Sequence, residues 1–211
     1  MAIKVDNYLN EYVVNQLFKN DNNKNNSSDI VGTLQTLGQK YATISAFGKK
    51  LNDIYTTLSQ QEGISEQALA GARDVIVSLA NSDSDKWMET TQALDEFKNS
   101  DKFSELFEAA HTIKTRNYDL NEWLNGFVNT NKYGFADEFI TETNTILGYG
   151  NTTEAASLFE DYVNMVNDIA KNAPNEDIVA NTYSTFFKGM ASYSSIEEKN
   201  AFMDTFKAQT G

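Results

Sequence analysis

The chain has 211 residues, with 17 Lys and Arg against 30 Asp and Glu, a formal net charge of −13, one His, one Pro and no Cys. That charge opposes electrostatic binding to nucleic acid or to an anionic membrane surface, because each phosphate contact needs a cation. The absence of cysteine removes disulfides, thiolate catalysis, iron–sulfur clusters and cysteine zinc sites, and a single histidine leaves no His-rich metal site.

Residues 3–18 place Val5, Leu9, Tyr12, Val13 and Leu17 on one side at steps of three and four, the spacing of an amphipathic helix, with Asp6 as N-cap. Those five residues are candidate partner-binding positions. The run Asn20–Asp29 contains no apolar side chain and is rich in groups that compete with helical backbone hydrogen bonds. It reads as a linker. The organisation expected is therefore an N-terminal helix at 1–19, an Asn-rich linker at 20–29 and an acidic helical domain at 30–211.

Within 30–61, Ile30, Leu34, Leu37, Tyr41, Ile44, Leu51, Tyr55 and Leu58 form a heptad seam, with Gly48 at its vacant place. A helix of that span would be about 50 Å long and needs a partner along its length. The seam can close inside a bundle or between chains. Gly63 is a natural stop.

From residue 64 the texture changes to shorter helices with recognisable caps. Ser65 opens a helix carrying Leu69, Ala72, Ile76 and Leu79. The cluster Asn81–Asp85 precedes Trp87, Met88, Leu94 and Phe97, and Asn99–Asp101 precedes Phe103, Leu106, Phe107, Ala110 and Ile113. Asp119 caps Leu120, Trp123, Leu124, Phe127 and Val128, and Gly134 separates these from Phe135, Phe139, Ile140, Ile146 and Leu147. After the break Gly148–Asn151 come Leu158, Phe159, Tyr162, Val163, Val166 and Ile169. Pro174 marks a boundary before Ile178, Val179, Tyr183, Phe186, Phe187 and Met190. Ser195-Ile196-Glu197-Glu198 is a capping box before Phe202, Met203 and Phe206. No stretch alternates with period two. The fold class is all-α: a multi-helix bundle of about nine or ten helices, one of them long and N-terminal, preceded by a detachable short helix.

Charge follows the same division. Residues 1–61 hold six Lys and five acids, and residues 62–211 hold 11 Lys and Arg and 25 acids, so the acidity belongs to the second part.

The constellations that could carry chemistry are few. Glu108-Ala109-Ala110-His111 matches the Glu-x-x-His pattern of di-iron bundles, but such a site needs a second copy, and the chain has no second histidine. A surface or boundary histidine is the reading preferred. Counted from Asp83, the sixth and twelfth places of an EF-hand loop hold Met88 and Leu94 in place of Gly and Glu. Glu105 with Glu108, and Glu138 with Glu142, lie one turn apart and could act as acid and base, although solvated helix faces produce such pairs routinely. No Gly-rich phosphate loop and no serine-hydrolase elbow occurs. No cofactor and no metal is expected.

Phe186 and Phe187 complete the candidate partner-binding set, as lining of an apolar groove for a partner helix. The reading that follows is a non-catalytic protein–protein interaction or assembly protein whose tethered N-terminal helix docks on a partner or on another copy. Composition by analogy suggests an accessory or adaptor part of a bacterial appendage or secretion apparatus. The alternatives are a small-ligand binder or carboxylate enzyme in a helical pocket, and an acidic mimic of nucleic acid. The sequence contains no span of membrane length and no apolar signal region, so a cytoplasmic protein or one exported without a classical signal is expected, with no membrane insertion.

Overall fold

The computed structural model describes residues 42–82 and 84–210, and the segment 3–18 with Val5, Leu9, Tyr12, Val13 and Leu17, the 20–29 linker and the first part of the heptad seam lie outside them. Among the described residues there are nine α-helices and no strand: α1 (Ala42–Ser59), α2 (Glu66–Ala80), α3 (Ser84–Phe97), α4 (Phe103–Thr115), α5 (Leu120–Lys132), α6 (Ala136–Gly148), α7 (Thr153–Asn172), α8 (Glu176–Ala191) and α9 (Ile196–Thr210). The chain is all-α. It divides into two compact units, Met1–Phe107 and Glu108–Gly211, with the boundary inside α4.

In the first unit, α1 packs on α2 and α3, and α2 on α3. Of the seam residues, Leu51 and Leu58 of α1 are buried and Tyr55 is half-buried, while its neighbour Ile54, outside the seam, is buried in its stead. Gly63 turns the chain at φ +76°, a left-handed conformation that glycine adopts without Cβ strain. Ser65 then caps α2, its side chain accepting from the Ala68 amide at 3.0 Å.

The buried face of α2 is Ala68, Ala72, Val75 and Leu79, whereas Leu69 and Ile76 are half-exposed. The sequence reading set this face one position round. Small side chains at 68 and 72 let helix backbones approach, and that close packing outweighs the larger residues' preference for burial. On α3, Trp87, Leu94 and Phe97 are interior with Thr90 and Thr91, but Met88 is 54% exposed, against expectation.

The second unit is built around α7, which packs on α5, α6, α8 and α9. Caps set the helix starts. Asp119 accepts from the amides of Asn121 and Glu122, Thr152 from that of Ala155, and Asn175 from that of Ile178. At the end of α6 the Arg116 guanidinium donates to the carbonyls of Leu147 (2.9 Å) and Gly150 (2.7 Å), satisfying acceptors the helix cannot use itself. Ring contacts run through the core from Trp123 to Phe139 to Tyr162 to Phe186 to Phe206, with centroid separations of 5.2 to 6.1 Å. Each such fully buried side chain contributes about 1.5–3 kcal/mol through the area it removes from water. Ile178, assigned to the core from the sequence, is 42% exposed at the start of α8.

No helix among the described residues is long and apolar enough to cross a membrane.

Candidate functional site

Helix α6 carries Phe139, Ile140, Thr143, Ile146 and Leu147 on its buried face, and Glu142 lies within that same face, 6% exposed. A carboxylate there is costly unless a cation and hydrogen-bond donors meet it. The cation is Lys199 of α9, 1% exposed, whose Nζ lies 2.6 Å from Glu142 Oε1. The same ammonium donates to the carbonyl of Met190 at 2.6 Å. Met190 is in the last turn of α8, where carbonyls lack intrahelical partners and the helix dipole is negative. Lys199 thus joins three helices. The approach to Oε1 is poorly aligned for a hydrogen bond, so this contact is chiefly Coulombic, while the Met190 carbonyl takes the directed bond.

The groups around the pair are satisfied by main-chain or hydroxyl partners. Tyr162 donates its hydroxyl to the Phe139 carbonyl at 2.9 Å, and the Trp123 indole donates to Thr143 Oγ1 at 3.1 Å. Tyr149 donates to the Ser194 carbonyl at 2.7 Å, and Tyr183 to the Val166 carbonyl at 2.8 Å. Burial pushes the Tyr162 hydroxyl well above its ordinary range, and the nearby Glu142 carboxylate adds to the shift. Tyr149 is raised by burial first and then by the charges of Glu142 and Glu198. All three phenols, Tyr183 included, are hydrogen-bond donors held neutral.

The capping box is present as expected. Ser195 Oγ accepts from the Glu198 amide at 3.2 Å, and Glu198 Oε2 accepts from the amides of Ser194 and Ser195 and from the Ser195 hydroxyl. These bonds, the hydroxyl's foremost, hold the Glu198 carboxyl below its usual range.

The other sequence candidates distribute as follows. Glu138 is exposed while Glu142, one turn on, is buried, so this pair does not present two carboxylates to one space. Glu105 pairs with Lys102 at 3.0 Å, and Glu108 and His111 are half-buried. Phe186 and Phe187 are 0% and 5% exposed. Phe186 touches Tyr162, Phe202 and Phe206, and Phe187 stacks on Phe135 and Tyr183. Their area belongs to the core of the second unit. Among the described residues no three His, Asp or Glu side chains gather in a way that could hold a metal ion.

Lys199 is the residue the sequence reading passed over. Its signal was its place in the anchor pattern Lys199, Phe202, Met203, Phe206, the i, i+3, i+4, i+7 spacing of a buried helix face.

A scan against protein-family models and searches of the curated proteins and of the solved structures found no match to this chain.

Proposed function

We propose that this chain is a non-catalytic protein–protein interaction or assembly protein. The observation that carries the reading is the use made of its interior charge. Glu142 and Lys199 neutralise each other and tie a main-chain carbonyl, so they hold α6, α8 and α9 together and offer neither a free acid nor a free base. Of the two carboxylate pairs the sequence offered an enzyme, Glu138 and Glu142 lie in different environments, and in the other Glu105 is paired with Lys102 beside the half-buried Glu108.

On this reading the amphipathic segment 3–18 is the docking element, tethered by the polar 20–29 run, and the acidic helical part is the body that carries it. The role of accessory or adaptor in a larger assembly is an analogy from composition. Deleting residues 1–28 and comparing the shortened and full chains by pull-down with mass spectrometry and by mass in solution tests it. The reading expects partners or self-association to be lost with the fold retained. Retention of every partner and of the oligomeric mass would refute it.

A further inference from the structure

Helix α9 meets the second unit through a small number of side chains. Lys199, Met203 and Phe206 are 1%, 2% and 4% exposed, and Phe202 is half-buried against Gly189 of α8. These four stand at i, i+3, i+4 and i+7, the anchor spacing by which an amphipathic helix enters a groove on another protein. The receiving surface combines aromatic and polar elements. Phe186 lies 5.2 Å from the Phe206 ring, and the floor holds the Glu142 carboxylate and the Met190 carbonyl for the lysine.

The connection to α8 is short and open to solvent. Residues 192–195 link the two helices, Ser192, Tyr193 and Ser194 are exposed, and Tyr193 is 40% exposed. Extended, four residues span about 14 Å, enough to lead α9 away while α8 stays folded. Outside the anchors, the exposed Lys207–Asp161 pair at 3.2 Å ties α9 to α7, a class of contact that contributes little, and the Tyr149 hydroxyl bonds the Ser194 carbonyl of the connection.

We propose that the face covered by α9 is a helix-receiving groove with an exchangeable occupant, and that the α9 of a second copy of this chain takes the place of the copy's own. Charge complementarity identifies the occupant: the groove has one buried anionic floor, and α9 brings the matching lysine in register with three apolar anchors. A helix without a cation at the first anchor would leave Glu142 buried and uncompensated. The groove therefore selects for this sequence. The tethered α9 competes at an effective concentration of roughly millimolar, so exchange is rare in dilute wild-type protein and becomes evident when docking in cis is weakened. The proposal names a self-association route within the interaction reading above, yet it stands on the α9 contacts alone, and the outcome of deleting residues 1–28 does not decide it.

Two full-length variants test it, Glu142→Lys, which spoils the groove and keeps α9, and Lys199→Glu, which spoils α9 and keeps the groove. Each places like charges together in its own copy. Mixed in equal amounts, they can form one native groove–helix pair per heterodimer, so native mass spectrometry is expected to show heterodimer several-fold above the dimer in either variant alone. A mixture that remains the sum of its parts overturns the proposal. A labelled peptide of residues 194–210 added to full-length Lys199→Glu guards against loss of folding. Saturable binding, or recovered helicity if that variant has unfolded, is expected, with at least a tenfold loss when the peptide itself carries Lys199→Glu. Equal affinity of the two peptides, or no binding and no recovery, overturns it.

Discussion

Phe202 lays its ring against the backbone of Gly189, so near that a Cβ built on the glycine would overlap Cζ and Cε2 of that ring. The missing side chain lets α9 sit close on α8, and it sets the seat in which Lys199 reaches Met190 and Glu142.

Gly189→Ala therefore tests packing against propensity. In an open helix position the change would stabilise by about 1 kcal/mol. Here it forces the Phe202 ring away from Phe186 and Tyr193, an overpacking that costs about 1–3 kcal/mol. Chemical denaturation is expected to show net loss, relieved by adding Phe202→Leu. A gain in stability from Gly189→Ala alone would place Phe202 elsewhere.

A second close approach occurs at Gly126 of α5, where a Cβ would come within 3.0 Å of Phe139 and 3.5 Å of Val166. Gly126→Ala is expected to be less severe than Gly189→Ala, since a few tenths of an ångström of adjustment suffices. Comparing the two denaturation midpoints checks the order.

The capping box gives α9 an acid sensitivity. The folded Glu198 carboxyl titrates below the unfolded value of about 4.3, so its contribution is present above that value and is lost as pH falls through the folded one. Hydrogen exchange of the α9 amides should accelerate in this acid window, after correction for intrinsic rates. Glu198→Gln should flatten the dependence, and an unchanged profile in that variant would assign the effect to another group.

At alkaline pH the buried phenols act with the opposite sense. Tyr162 and Tyr183 are raised, so the neutral form is the folded one, and the stability they add is present below the unfolded value near 10 and lost as pH rises toward the folded values. Spectrophotometric titration of the folded protein is expected to leave these two of the 10 tyrosines un-ionised when the solvent-facing ones have reacted. A single transition near 10 for all of them, with helicity intact, would contradict the burial described.

The helices of the second unit were legible because their signals agree. Asp119, the Gly148–Asn151 break, Pro174 and the Ser195 box each mark an end, and the 3.6-residue period of Leu158, Phe159, Tyr162, Val163, Val166 and Ile169 fixes the α7 face. The face of α2 was not legible, since period alone favours the larger Leu69 and Ile76, while packing chose Ala68 and Ala72. Met88 and Ile178 were misplaced for a related reason. Near a helix start, an apolar residue beside the stripe can face water at modest cost.

The central polar contact was half legible. Glu142 stood out only as a neighbour of Glu138, a pairing in sequence that burial separates. Its true partner lies 57 positions away on another helix, beyond the reach of any local pattern.

The account rests on the claim that interior charge in this chain seats α9 and holds α6, α8 and α9 together. A double-mutant cycle over Glu142→Leu and Lys199→Met, read by urea denaturation, tests that claim most directly. Each single variant strands a buried charge and is expected to cost about 3–5 kcal/mol, whereas the double variant recovers most of that loss. Additive losses, or single variants within about 0.5 kcal/mol of wild type, would contradict it.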